Sequence, residues 1–236
     1  MQEMTYAGHE LELFEHAIVW KKYFGGFILP YLKGNILEVG AGVGGTTSEL
    51  CDGSQELWLC LEPDLENCDA LERKIKCKQL PSCCVAVRGT VDDLPENKKF
   101  NVIIYVDVIE HIRNDRIELE KAVSLLEPGG YLIILVPAHQ QLYSRFDKAI
   151  GHHRRYDKKM LKAAIPTGLN IESLRYLDSI GLIASVMNKY FLKQDYPTLR
   201  QIHFWDRVLV RISKVTDLFT AYTLGKSLIG IWKSSK

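Results

Sequence analysis

The sequence predicts an α/β domain: a mostly parallel sheet with helices on both faces. Three observations carry this. Short apolar runs alternate with helical spacings along most of the chain, the first run ends in a glycine-rich turn, and the second ends in an acid. Such alternation builds a parallel sheet because each crossover helix returns the chain to the same end of the next strand. At 236 residues the chain suits a single domain spanning 1–236, large enough to bury a proper core.

The elements follow in order from apolar periodicity and turn signals. Helical spacing in "HELELFEHAIVWKKYFGGFILPYL" makes residues 1–34 an N-terminal helical segment that leads into a first strand from Asn35 to Val39. "ELWLCLEPD", "CCVAVRG", "FNVIIYVDV" and "GYLIILVPA" supply strands two to five, with helices such as "DRIELEKAVSLL" between them. Residues 138–160 then form a polar insertion, expected to act as a lid, since loops at this edge of a sheet commonly cover a site. A sixth strand falls within "LNIESLRYLDSIG" and a last one within "GKSLIGIWKS", and the stretch 182–222 between them reads as a helical insertion.

Thirty basic against twenty-nine acidic residues leave a net charge of +1, with no global field to attract nucleic acid. No stretch has the length of a membrane span and "MQEMTYAGHE" lacks a signal-peptide pattern, so the expected location is cytoplasmic. All six cysteines lie between Cys51 and Cys84, yet none has C-x-x-C spacing and no histidine falls among them. Reduced structural thiols, and no metal, are expected.

The chemistry is expected beyond the carboxyl ends of the strands, where ligands of such sheets bind. "ILEVGAGVGGTT" places a glycine turn after strand one, where glycine lets a ligand approach main-chain N–H groups. Gly40, Gly42 and Gly45 fit the G-x-G-x-x-G of a dinucleotide fold; Glu38, Gly40, Gly42 and Gly44 fit the E-x-G-x-G-x-G of a methyltransferase. Glu62 ends strand two, 18 residues beyond Gly44 (62 minus 44), where an acid can accept bonds from ribose hydroxyls. After strand three, the turn at Thr90, Val91 and Asp92 is placed to meet an adenine edge.

Together, "LEVGAGVGG", "LCLEPD", "VDVIEHI" and "LEPGGYLIILVP" resemble the motifs of class I S-adenosylmethionine-dependent methyltransferases, over roughly residues 15 to 180. The stretch "PAHQQLYSRFDKAIGHHRRYD" further resembles a bacterial branch with P-A-H-Q and G-H-x-R-R-Y after strand five. The resemblance implies a Rossmann-like seven-stranded sheet whose last strand is antiparallel. It also implies S-adenosyl-L-methionine as cofactor, S-adenosyl-L-homocysteine as product, and methyl transfer to a small-molecule acceptor. A hydroxyl of a natural product, sugar or lipid-linked intermediate is the expected acceptor group. Two other readings stand beside it: an NAD(P)-dependent oxidoreductase, which shares the glycine turn and the strand-two acid, and a catalytically silent cofactor-binding protein.

A hydroxyl acceptor needs its proton removed, and a histidine oriented by an acid suits that near neutral pH. Asp107 lies at the end of strand four near the expected sulfonium, with His111 just after it. His139 leaves strand five, and His152 and His153 close the same insertion. His139 or His152, oriented by Asp147, is the expected base in preference to His111. Arg154 and Arg155 are expected to bind an anionic group of the acceptor, with Tyr143 and Tyr156 flanking a ring. Finally, "FWDRVLVRISKVTDLF" aligns Phe204, Trp205, Val208, Leu209, Ile212, Val215, Leu218 and Phe219 on one helical stripe. Its expected uses are packing on the sheet, walling the pocket, or a peripheral membrane or homodimer contact across 204–219.

Overall fold

The structure, a computed structural model, describes residues 14–192 and 196–235. Residues 1–13 of the expected N-terminal helical segment lie outside the described residues.

Seven strands form one sheet: β1 Asn35–Val39, β2 Leu57–Glu62, β3 Cys84–Arg88, β4 Phe100–Val106, β5 Leu126–Pro137, β6 Leu169–Leu177 and β7 Ser227–Ser234. Their order is β3-β2-β1-β4-β5-β7-β6. The first five pair in parallel, and β7 runs antiparallel to both β5 and β6. The expected fold is therefore the observed one. The central strands read as unbroken apolar runs because both faces are covered. Ile36, Val102, Ile104 and Ile133 enter one core, while their neighbours Leu37, Ile103, Leu132 and Ile134 enter the other. β5 begins four residues earlier than "GYLIILVPA", since Leu126 already pairs with Phe100 before a register shift.

The helices are α1 Ile18–Ile28, α2 Thr47–Leu50, α3 Leu65–Lys76, α4 Asp115–Ser124, α5 Arg145–Ala149, α6 Lys158–Ala164, α7 Ser179–Met187, α8 Leu199–Phe204 and α9 Val210–Phe219. Short polar side chains start several of them: Asp64 accepts from Asn67 N–H ahead of α3, and Asp157 from Met160 N–H ahead of α6. A π-helical turn, Trp205–Leu209, joins α8 to α9.

The helical insertion differs most from expectation. It starts at Ser179, and along 204–219 most of the apolar stripe faces outward. Val208, Ile212, Val215 and Leu218 are exposed and Phe219 is 85% exposed, whereas Asp206, Ser213 and Asp217 are buried. Among the stripe residues, Trp205 and Leu209 turn towards the interior. The reason is hydrogen bonding: Asp206 accepts from Val19 N–H (3.2 Å) and Trp20 N–H (2.8 Å) at the start of α1. Asp217 accepts from the Tyr23 hydroxyl (2.7 Å) and from the N–H groups of Asp178 (2.7 Å) and Ser179 (2.9 Å) at the start of α7. Carboxylates thus satisfy two helix N-termini that would otherwise leave buried donors unmet. Among the described residues, no helix is long and apolar enough to cross a membrane.

Candidate active site

Beyond β1 the chain turns at Gly40, with φ of 66°, where a Cβ would stand 2.6 Å from Val108 Cγ2. Only glycine brings the turn this close to the end of β4. The Gly42 N–H donates to Glu62 Oε2 at 2.7 Å, and Asp64 N–H to Oε1 at 3.1 Å. Those two bonds aim the Glu62 carboxylate and leave lone pairs for further donors. Burial raises the Glu62 pKa, against the lowering effect of the bonds from Asp64 and Gly42.

Glu62 and the glycine turn wall a cavity of about 630 Å³. Trp20, Lys21 and Phe24 of α1 close one side and Ile202, Trp205 and Leu209 another. Burial lowers the pKa of Lys21, whose ammonium donates to Glu15 O at 2.7 Å. A Cβ at Gly45 would lie 2.9 Å from that ammonium, so Lys21 sits directly over the turn.

The same cavity is also lined by Asp107, His111, Asp147, His152, Arg155 and Lys226. Asp107 follows β4 with φ of 53°, a conformation unusual for a non-glycine residue and common at functional sites. It is surrounded by protein yet open to the cavity, and burial pushes its carboxyl up to about 6, offset by His152, Lys226 and Arg155. Burial lowers His111 to about 3, helped by His152 and His153, so its ring is neutral. His152 Nδ1 lies 3.0 Å from Asp147 Oδ1, and Arg155 grips the same carboxylate through Nε (2.8 Å) and Nη2 (3.0 Å). Burial alone would raise the Asp147 pKa, but the bonds from His152 and Arg155 hold it well below the usual carboxylate range.

Of the expected site residues, Gly40, Gly42, Glu62, Asp107, His111, His152 and Arg155 line this cavity. The others do not, each for a visible reason. Glu38 turns away, its Oε2 accepting from Thr47 Oγ1 (2.6 Å) and Trp58 Nε1 (2.7 Å). Gly44, with φ of 82°, gives space to α3, since a Cβ there would meet Leu71 Cδ2 at 2.7 Å. Thr90 bonds to Asp93 in a capping box, Val91 is in the core, and Asp92 pairs with Lys121. His139, the other expected base, bonds through Nε2 to Gly225 O (2.9 Å) and stacks on Tyr176, outside the cavity. Tyr143 donates to His152 O (2.6 Å), Tyr156 is buried and donates to Asp115 (2.7 Å), and Arg154 pairs with Asp115 (2.5 Å). These three hold the insertion together and do not line the cavity.

The insertion over 138–160 is tied at its base, with His139 N–H donating to Tyr156 O (2.9 Å) and Tyr156 N–H to Pro137 O (2.9 Å). Ser144 caps α5 within it. Sequence reasoning missed Glu110, Lys21 and Lys226. Glu110 was visible three residues after Asp107 in "VDVIEHI"; nothing local to Lys21 or Lys226 marks either as a wall of the cavity. The six cysteines are free, with the sulfurs of Cys83 and Cys84 at 3.5 and 3.6 Å from that of Cys51.

Comparison with known proteins agrees with this fold. The S-adenosylmethionine-dependent methyltransferase from Clostridium acetobutylicum ATCC 824 superposes with a TM-score of 0.59 at 12% identity, over 92% of each chain. The N-methyltransferase NodS from Bradyrhizobium japonicum WM9, solved with S-adenosyl-L-homocysteine, gives 0.57 at 11% identity, over 93% of this chain and 88% of that one. The [4+2]-cyclase SpnF gives 0.61 at 14% identity, over 89% and 79%. At such identities the likeness concerns the fold, and SpnF shows that one fold serves several chemistries. A search of curated protein sequences returned no match. A family model described as a methyltransferase domain matches residues 21–180, well over half the chain. The chain therefore belongs to the methyltransferase-domain family.

Proposed function

We propose that the chain transfers the methyl group of S-adenosylmethionine to a hydroxyl of a small molecule held beside Asp107 in the cavity. The observation that carries this reading is that one cavity is lined by the glycine turn, by Glu62 and by Asp107, His111 and His152. The residues fit the cofactor. Glu62 would accept its ribose hydroxyls, and the Lys21 ammonium would pair with its carboxylate. The bound cofactor supplies an electrophilic sulfonium methyl. Transfer is an in-line displacement, to which the protein contributes mainly proximity and orientation. The acceptor hydroxyl must lose its proton. Asp107, whose carboxylate opens into the cavity, would take it; burial raises its pKa to about 6, against the lowering charges of His152, Lys226 and Arg155.

Calorimetry with S-adenosylhomocysteine tests the cofactor half. Glu62→Ala removes charge-assisted hydrogen bonds and should weaken binding by about 1.5 to 3 kcal/mol. Asp107→Asn should keep that affinity and slow transfer roughly a hundredfold to ten-thousandfold. Tight NADH binding without S-adenosylhomocysteine binding would overturn the cofactor reading. An Asp107→Asn variant as active as the parent would overturn the assigned proton acceptor.

A further inference from the structure

Glu110 has no exposed surface, and neither of its carboxylate oxygens has a hydrogen-bond partner. Such a group is costly in either protonation state: ionised, it is an unpaired buried charge, and protonated, its O–H still lacks an acceptor. Something else is needed to satisfy it. Arg155, whose charge favours ionised Glu110, already spends its guanidinium on both oxygens of Asp147.

Two imidazoles share the space in front of Glu110. His152 Nε2 lies 3.8 Å from Glu110 Oε1, too long for a hydrogen bond, and the rings of His111 and His152 stand edge to face with centroids 4.5 Å apart. One ligating atom from each of Glu110, His111 and His152 falls within 4.8 Å of the other two. The tautomer of His152 follows from its other nitrogen: Nδ1 faces the Asp147 carboxylate at 3.0 Å and must carry the proton. That leaves a lone pair on Nε2, directed towards Glu110. A carboxylate behind a histidine is the arrangement that orients imidazole ligands of metals.

The rest of the segment holds this geometry. His153 N–H donates to Glu110 O (2.8 Å), His152 N–H to Asp147 O (2.8 Å), and the Tyr143 hydroxyl to His152 O (2.6 Å). A main-chain bond thus joins the two halves of the cluster, and Tyr143 acts as a positioning residue.

We propose that Glu110, His111 and His152 form a binding site for one divalent transition-metal ion at the wall of the cavity. Two imidazoles and one carboxylate suit zinc, ferrous iron, cobalt or nickel better than magnesium or calcium, which prefer oxygen ligands. His111 and His152 both line the cavity, so the remaining coordination positions face the space where an acceptor oxygen would lie. The metal would bind that oxygen and acidify its hydroxyl beside Asp107. The last step rests on the methyl-transfer reading; the ion site does not.

The test is a titration of the metal-free full-length protein with cobalt(II), without cofactor or acceptor, read by visible absorption and calorimetry. One equivalent should bind, with d–d bands and no thiolate charge-transfer band. His152→Ala, which alters a residue on the cavity wall, should weaken binding about a hundredfold, and Asp147→Asn about tenfold. Cys83→Ser should bind as the parent does. No uptake by the parent at millimolar cobalt would overturn the proposal. So would binding that survives His152→Ala, or a thiolate spectrum abolished by Cys83→Ser, which would place the ion at Cys51, Cys83 and Cys84. Because the titration contains no cofactor, its failure leaves the methyl-transfer reading untouched.

Discussion

The ends of β1, β2 and β4 and the outer helix α9 obey opposite rules. At the strand ends, apolar side chains go inward, while Glu62 at the end of β2 and Asp107 just after β4 line the cavity. On α9 the apolar residues Ile212, Val215, Leu218 and Phe219 lie outside, while Ser213 and Asp217 are buried. The difference shows what sorts residues here. Apolar burial decides where a strand has helices on both faces, but along 206–217 the decision falls to unmet N–H donors at the starts of α1 and α7. Exposing a Leu forfeits roughly 1.5 to 3 kcal/mol of burial, whereas stranding several buried donors costs about 1 to 3 kcal/mol for each.

Three substitutions would break or sharpen that contrast. The largest effect is expected at Asp217→Ala, which strands the Tyr23 hydroxyl and two backbone N–H groups. Its urea midpoint should fall by the equivalent of about 3 to 5 kcal/mol. A loss below about 1 kcal/mol would mean that these donors find water, and the contrast would collapse.

Next comes Glu38→Gln, at the foot of the glycine turn. Burial pushes the Glu38 carboxyl up from 4.5 to about 7, against the lowering bonds from Thr47 and Trp58. A raised folded-state pKa means the native state binds the proton more tightly than the unfolded chain. This group's contribution is therefore full below pH 4.5 and is lost as pH rises through about 7. Gln keeps an acceptor for both donors and does not titrate. The parent should lose up to about 3 kcal/mol relative to the variant over that window, read from urea melts at either end. Parallel stability profiles would show that Glu38 titrates alike folded and unfolded.

The smallest effect is expected at Phe219→Ser, the most exposed residue of the apolar face. Stability should change by less than about 0.5 kcal/mol. A larger loss than Asp217→Ala would reverse the ranking and make the outward face the structural one.

Much of this was legible in the sequence. β1 spans the residues expected, and the other strands lie within the quoted runs or extend them, because strands buried on both faces leave continuous apolar stretches bounded by turns. Cavity residues at strand ends, such as Glu62 and Asp107, were legible because topology puts all those ends on one edge. Side-chain direction was not. His139 follows β5 as expected, but its φ of 66° swings the ring to Tyr176. Glu38 lies one residue before Val39, and where it points depends on Trp58, twenty residues later, offering its indole N–H. The stripe on α9 announced an amphipathic helix correctly. Which face turns inward depended on donors at Val19, Trp20, Asp178 and Ser179, and no local pattern connects those to residues 206 and 217.

The bond from Trp20 N–H to Asp206 also has a consequence for synthesis on the ribosome. α1 carries no side-chain cap of its own, and the carboxylate that serves its first turn lies 186 residues further on. At about 5 to 20 residues per second, translation takes roughly 10 to 40 s to supply it. Through that interval β1 to β5 can pair in succession, while the helix that closes one side of the cavity waits for its partner. Trp20 stays without its packing on Trp205 until that segment has been made. A ribosome stall shortly before codon 206 would thus release a chain with a formed sheet and an unsealed cavity, a nascent species that a chaperone or a protease could distinguish from the finished enzyme.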